Sequence, residues 1–219
     1  MSAAAASIPV MLKLAGRRCV VVGGGPAAAR RAHTLREAGA EVVVVAPRMD
    51  ASLVGNGVGI VCHERGYAEG DLEGAFLVVV ATDDGGLNKR VAADAAAGGA
   101  LVNRADDAEA GDVTVMAHGR RGPLTVAVDT GHVSSAASKV LRDELVASVD
   151  EAWVELLEAA RPYRAAVKAA VADATRRGET LRRLTDEAAR GVLRDRGRAG
   201  LVEHFEALLD GVSGGVSAS

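Results

Sequence analysis

Val20-Val21-Val22-Gly23-Gly24-Gly25-Pro26-Ala27-Ala28-Ala29-Arg30 is the stretch that decides the fold of this chain. It reads as a buried strand, a glycine turn and a helix start, the arrangement that cradles a dinucleotide pyrophosphate. The spacing is G-x-G-x-x-A at Gly23, Gly25 and Ala28. Gly23 permits the tight turn, and Gly25 lets backbone approach a phosphate with no Cβ in the way. Ala28 keeps the helix close to the strand, and the helix N-terminus offers unpaired N–H groups and positive potential to the anion. Gly23, Gly24, Gly25, Pro26, Ala27 and Ala28 are therefore the candidate cofactor-binding residues of this turn. A glycine motif alone serves any tight strand-to-helix turn. Here an apolar strand precedes it, an alanine-rich helix follows, and a second apolar strand, Glu41–Val45, comes at once.

Outward from that turn, strands and helices alternate. Arg18–Val22, Glu41–Ala46, Val58–Glu64, Phe76–Ala81 and Ala100–Asn103 read as strands; Ala27–Ala38 and Leu87–Ala97 read as helices closed by Gly39 and Gly98-Gly99. The third and fourth strands are nearly all apolar, which predicts burial on both faces. This is the pattern of an α/β fold with a parallel, doubly wound, Rossmann-type sheet. Ligands of such sheets sit at the carboxyl ends of strands, so the loops after Val22, Val45, Ala81 and Val102 are the places to look.

Beyond Val113 the rhythm changes. Val113–Ala117 and Leu124–Val128 read as a hairpin joined by the polar stretch His118–Pro123. Ser134–Val149 is a helix, and only helices follow: Glu151–Ala160 with a break at Pro162, then Arg164–Arg176, Glu179–Arg190 and Leu201–Leu209. Trp153, Leu156 and Ala160 share one helical face and read as core. Gly211–Ser219 reads as a disordered Gly/Ser tail.

Composition excludes several functions. The net charge of −3 gives no case for wholesale nucleic-acid or membrane binding, and 2% aromatics removes the stacking platforms of a single-strand binder. Cys19 and Cys62 have no metal-ligand spacing and read as small core residues, so no metal site is expected. The short Met1–Ser7 stretch has no basic flank and reads as no secretory signal, and no segment is long and apolar enough to span a bilayer. A cytoplasmic protein is expected.

Several segments together resemble one family. They are Leu14-x-Gly16-Arg17 before the glycine turn, Ala28-x-Arg30-Arg31, Val45-Ala46-Pro47, and Leu77-Val78-Val79-Val80-Ala81-Thr82-Asp83-Asp84 with Leu87-Asn88. Val102-Asn103-Arg104-Ala105-Asp106-Asp107, Gly122–Val128 and Leu141-Arg142-Asp143-Glu144 complete the set, over about residues 12–145. In this order and spacing they resemble the siroheme synthase family, whose members act as precorrin-2 dehydrogenases and in some cases also as sirohydrochlorin ferrochelatases. The resemblance implies that NAD takes a hydride from the tetrapyrrole precorrin-2, with ferrous iron as a further substrate where chelation is retained. It implies a homodimer with a Rossmann domain over 1–112, a dimerisation segment over 113–149 and a helical domain over 150–210. It also places the active-site aspartate at Asp106, where a carboxylate takes the proton lost as the macrocycle is oxidised.

The chain departs from the family in the loop Asp129-Thr130-Gly131-His132-Val133-Ser134-Ser135, where Asp129 replaces a hydroxyl, His132 a glycine and Ser135 a proline. Ala108–Asp112 lacks the usual cysteine, and Val113 replaces an aromatic. Dinucleotide sites often carry an acid after the second strand for the ribose; here Pro47 and Arg48 stand there, and Arg48 alone hints at a 2′-phosphate. The family pattern of Ala-Pro with NAD favours NAD. Thr82, Asp83 and Asn103 complete the expected cofactor contacts, and Asp84 reads as a helix cap. Asp107 reads as structural. A substrate with eight carboxylates needs local cations, and Arg104, Arg120 and Lys139, with Thr130 and His132, are the candidate substrate-binding residues. The arginine runs of the C-terminal helices alternate with acids and read as solvated faces. A non-catalytic dinucleotide sensor is the alternative, and Asp106 separates the two, because a sensor has no need of a carboxylate facing the nicotinamide.

Overall fold

Five strands, all parallel, form one sheet in the order β3-β2-β1-β4-β5: β1 Arg18–Val22, β2 Glu41–Ala46, β3 Ile60–Glu64, β4 Leu77–Val80 and β5 Leu101–Arg104. The structure, a computed structural model, describes residues 7–55 and 59–213. It divides into two units, Met1–Val115 and Met116–Ser219.

In the first unit the near-continuous Val runs are explained by burial on both faces. Cys19, Val21, Val42, Val44, Leu77 and Val79 pack on α1 (Pro26–Glu37) through Ala28, Ala29, Ala32 and Leu35. Their neighbours Val20, Val22, Val43, Val45, Val78 and Val80 pack on α2 (Gly85–Ala97) through Val91 and Ala95. Tyr67 and Leu72, from the segment joining β3 to β4, cover the rest of that face in place of a helix. The strand order reverses between β1 and β4, so the cleft at the switch lies beyond Val22 and Val80, which are paired in register.

The third strand is not buried on both faces as expected. It is the sheet edge, with β2 its one strand neighbour, and Val61 is 55% exposed. The expected start at Val58 lies outside the described residues. Cys19 is buried and its thiol is pushed up to about 11 by desolvation; Cys62 is half-buried and also raised, and neither is in a disulfide.

The second unit opens with an antiparallel hairpin of β6 (Ala117–Arg121) and β7 (Leu124–Val128). The first strand runs four residues later than the sequence suggests, and His118–Arg121 lie in it rather than in the turn. The turn is Gly122-Pro123 alone, with Gly122 at φ 53 in the first central position, as a two-residue hairpin turn of the II′ kind requires. Helix α3 (Ser135–Ser148) packs on both strands, and Ser134 caps it by accepting from Ala137 N.

Helices α4 (Glu151–Ala170), α5 (Ala174–Arg183) and α6 (Glu187–Ser213) build a separate core around Leu156, Val167, Leu184, Leu201 and Phe205, against which Trp153 packs. The helix boundaries differ from expectation. The helix runs through Pro162, its lost backbone bond offset by burial of Ala159, Ala160 and Val167 around it. Asp173 and Asp186 accept from Arg176 N and Ala189 N, so these two caps, and not the apolar spacing, fix where α5 and α6 begin. Residues 211–213 are helical, and the rest of the expected tail, 214–219, lies outside the described residues. Gly197, at φ 64 and ψ −168, kinks α6.

Candidate functional site

The three glycines after β1 are glycine for three different reasons. A Cβ on Gly23 would lie 2.2 Å from the Ala81 carbonyl oxygen, so this residue lets β1 leave the sheet beside the end of β4. A Cβ on Gly24 would lie 1.9 Å from the Arg48 carbonyl oxygen and 2.8 Å from Ala46 Cβ, against the loop after β2. A Cβ on Gly25 would meet nothing within 4 Å. Gly25 is the N-cap of α1 at φ −80 and ψ 179, Pro26 follows at the first helical position, and no side chain caps the helix. The first turn of a helix leaves its N–H groups without intrahelical partners, so an uncapped start facing open space suits an anion.

Around this cradle lie the ends of the other strands. After β2, Ala46 is buried, Pro47 and Arg48 are exposed, and the Asp50 N–H donates to Gly24 O at 2.7 Å, holding the loop against the turn. After β4, Asp84 caps α2 by accepting from Gly86 N and Leu87 N at 2.8 and 3.0 Å. Asp83 is exposed. The Thr82 hydroxyl, an expected cofactor contact, is held inside the protein: it donates to Asn88 Oδ1 at 2.5 Å and accepts from Asp84 N at 3.2 Å.

The loop after β5 carries the charged pair. Arg104, 8% exposed, donates from Nε to Asp106 Oδ1 at 3.1 Å and from Nη2 to Oδ2 at 2.6 Å. This two-pronged contact outweighs desolvation and brings the Asp106 carboxyl down to about 2. The Asp106 side chain is 31% exposed, so a partly exposed carboxylate, ionised at every physiological pH, follows β5. Asp107 starts a short 3-10 turn at residues 108–110 with no side-chain cap bond. Asn103, 4% exposed, donates Nδ2 to Val113 O at 2.6 Å, and its Oδ1 is buried without a partner.

The structure thus brings Gly23–Ala28, Pro47, Arg48, Thr82, Asp83, Asn103, Arg104 and Asp106 to the carboxyl edge of one sheet. It engages Arg104 with Asp106, which removes its guanidinium from the set free for substrate carboxylates. Sequence reasoning left out Asn88, 1% exposed on α2, and Asp112, whose Oδ2 accepts from Val102 N at 3.0 Å. The signal for Asn88 was present in the Leu87-Asn88 pair; nothing marked Asp112.

Arg120, Thr130, His132 and Lys139 belong to the second unit. Arg120 is exposed on β6, and Lys139 is exposed on α3. The Thr130 hydroxyl bonds Ser134 O at 3.1 Å and Ser138 Oγ at 3.0 Å, so it shapes the start of α3. His132 is exposed at φ 64, a left-handed conformation that glycine takes without strain. Among the described residues no group of three or more His, Cys, Asp or Glu side chains could hold a metal, and no helix is long and apolar enough to cross a membrane.

Residues 10–117 match a family described as "Putative NAD(P)-binding". The siroheme synthase of Azotobacter vinelandii is 37% identical over 206 residues, 93% of this chain and 43% of that protein. The siroheme synthase of Chromobacterium violaceum is 41% identical over 167 residues, 75% of this chain and 36% of that protein. The chain therefore spans less than half the length of the curated relatives it matches. A solved structure, SirC, precorrin-2 dehydrogenase, superimposes with a TM-score of 0.71 at 28% identity, over 92% of this chain and all of that one.

Proposed function

We propose, from the premise that this chain is a homologue of the siroheme synthases, that it oxidises precorrin-2 to sirohydrochlorin with NAD as hydride acceptor. The observation that supports the reading is an open, uncapped helix start at the same carboxyl edge of the sheet as a partly exposed Asp106 carboxylate held by Arg104. The cradle fits a dinucleotide: Gly25 leaves the space a Cβ would fill, and Ala28, fully buried, lets the helix approach the sheet. Gly23–Ala28 hold the pyrophosphate, and Pro47, Arg48, Thr82, Asp83 and Asn103 surround the rest of the molecule. A bound nicotinamide supplies the site that receives the hydride.

Asp106 does the remaining work. Loss of a hydride leaves the macrocycle cationic and strongly acidic, and the reaction is completed by loss of one proton. A carboxylate near 2 is a weak base, yet it suffices for so acidic a donor, and its fixed negative charge stabilises the cation that forms. Arg104 keeps that charge in place. Where iron insertion is retained, the same carboxylate takes pyrrole protons, two leaving as each ferrous ion enters.

For the substrate's carboxylates the available groups are Arg120, His132 and Lys139, exposed and without side-chain hydrogen bonds or ion pairs among the described residues. Thr130 acts through the shape of its loop. We propose a homodimer through the hairpin and α3, because Val140, Leu141 and Leu145 are 57%, 43% and 48% exposed on one short helix. We favour NAD over NADP from the family pattern; exposed Arg48 is the residue that a 2′-phosphate would use. The test is purified protein with precorrin-2 and either dinucleotide, followed by absorbance, then with ferrous iron. A chain that binds NAD and leaves precorrin-2 unchanged is a sensor and not this enzyme.

A further inference from the structure

We infer that the groove between α5 and α6 binds a small oxyanion ligand, one bearing phosphate or carboxylate groups, through Arg176, Arg183 and His204. The site uses none of the residues of the dehydrogenase reading and stands independently of it. Helix α5 reads Ala-Thr-Arg-Arg-Gly-Glu-Thr-Leu-Arg-Arg, four arginines against one glutamate, in a chain whose net charge is −3. A solvated helix face of mixed charge pairs its ions. Helix α6 does so: Arg190 pairs with Glu187, Arg194 with Asp195 and Arg196 with Glu203. Among the described residues none of the four arginines of α5 has an ion pair. Glu179 stands at i+3 from Arg176 and at i−4 from Arg183, the separations at which helical charges meet, and it pairs with neither.

The unpaired charges line a cavity. Arg176 and Arg183 share one face of α5, and with Glu179 they line a space of about 370 Å³ whose other wall is His204, Leu208 and Gly211 of α6. That volume suits a small molecule. A Cβ on Gly211 would meet nothing within 4 Å, so the α6 wall leaves the space open. Arg176 donates Nη2 to Gly211 O at 3.0 Å, which fixes its guanidinium at one end of the groove and leaves its other N–H groups free. Thr180, 5% exposed between the two arginines, turns its hydroxyl to Arg176 O at 2.8 Å. Arg183 has no side-chain hydrogen bond among the described residues, and His204 Nε2 is buried without a partner.

A buried imidazole nitrogen without a hydrogen bond is costly, and a ligand oxygen in the groove that His204 lines is the partner it lacks. Two guanidinium groups against one carboxylate leave an excess positive charge, and a protonated imidazole adds a second. Guanidinium forks match the paired oxygens of phosphate and carboxylate alike. Leu208 gives the carbon part of such a ligand an apolar contact.

Imidazole 1H–15N NMR of the full chain reads the groove at His204. Its signal is assigned by its absence in His204→Gln or by its cross-peak to the Phe205 ring, 6.0 Å away. The probes are inorganic phosphate, pyrophosphate and citrate at constant ionic strength. The expected result is a saturable shift with half-saturation near about 1 mM, the affinity that two or three charge-assisted hydrogen bonds support. A stronger response to the two phosphates assigns a phosphate ligand, and a stronger response to citrate a carboxylate one. Arg183→Gln weakens binding about tenfold, while Arg182→Gln, at an exposed neighbour outside the groove, keeps the parental affinity. Both side chains are exposed, so both variants keep the fold. No saturable His204 shift with any of the three probes, or equal weakening in the two arginine variants, overturns the inference.

Discussion

Replacing Gly25 by Asp separates binding from stability, because the structure predicts opposite signs for the two. The residue already has the extended conformation of an N-cap, and a Cβ there meets nothing within 4 Å. As an N-cap, Asp exceeds Gly by a few tenths of a kcal/mol, and a negative charge at a helix start adds about 0.3–1 kcal/mol. The first unit of Gly25→Asp should therefore be more stable by about 0.5–1 kcal/mol in urea denaturation. The same carboxylate stands in the space left for the pyrophosphate. Two unit charges 4 Å apart at an effective dielectric constant near 20 repel by about 4 kcal/mol, or about a thousandfold in affinity. Calorimetric titration with NAD, alongside the denaturation, reads both quantities. Gly24→Ala is the control, since its Cβ would lie 1.9 Å from backbone and should lower stability by more than about 2 kcal/mol. Parental NAD affinity in a folded Gly25→Asp protein refutes the cradle, and affinity lost only together with stability refutes the reasoning about charge.

Other outcomes follow from single features. Asp106→Asn should keep the fold and NAD binding and slow precorrin-2 oxidation by about two to four orders of magnitude in a stopped absorbance assay, while Asp107→Asn leaves the rate near the parental one. Because Asp106 has its carboxyl lowered to about 2, its contribution to stability is complete above the unfolded value of about 3.9 and is lost as pH falls toward 2. Rate and stability should therefore be insensitive to this group from pH 5 to 8, and an acid limb near pH 6 that Asp106→Asn abolishes would contradict the assignment. His132→Gly should stabilise the second unit by about 1 kcal/mol in urea denaturation by relieving the left-handed backbone. Leu141→Glu with Leu145→Glu should convert a dimer to a monomer in sedimentation; a parental protein that is already monomeric at micromolar concentration removes that proposal.

The first unit was legible because its signals are local and redundant. β1 and β2 were read at their observed bounds, since Val runs between Gly and Pro punctuation allow little else. The edge position of β3 was not legible: which apolar strand ends a sheet depends on strand order, and order is a property of the whole domain. The helical unit was read less well. Apolar spacing in an alanine-rich chain is weak, and α5 and α6 begin where Asp173 and Asp186 cap them, two carboxylates that look like any others in an Arg/Asp/Glu-rich segment. The hairpin was misplaced for a related reason. Arg120 and Arg121 look like a turn, but Arg120 shares the open face of the strand with His118, Arg121 on the other face bonds Ala147 O and Glu151, and Gly122-Pro123 suffices to reverse the chain.

The candidate site shows where sequence stops being informative. Asp84 and Asp106 both follow parallel strands within a few residues of the same cleft, and nothing in their local sequence assigns different tasks to them. Their partners do. Asp84 faces the backbone N–H groups of Gly86 and Leu87, and a carboxylate so placed completes a helix. Asp106 caps nothing; its partner is a nearly buried guanidinium, and its charge is held for use outside the protein. The same logic reverses the sequence reading of Arg104. A cation beside a polyanionic substrate invites a binding role, but a guanidinium with both prongs on Asp106 has its geometry already satisfied. Residue type and spacing named the groups of this site, and only the hydrogen-bond network divides them between those that hold the site together and those left to act on a ligand.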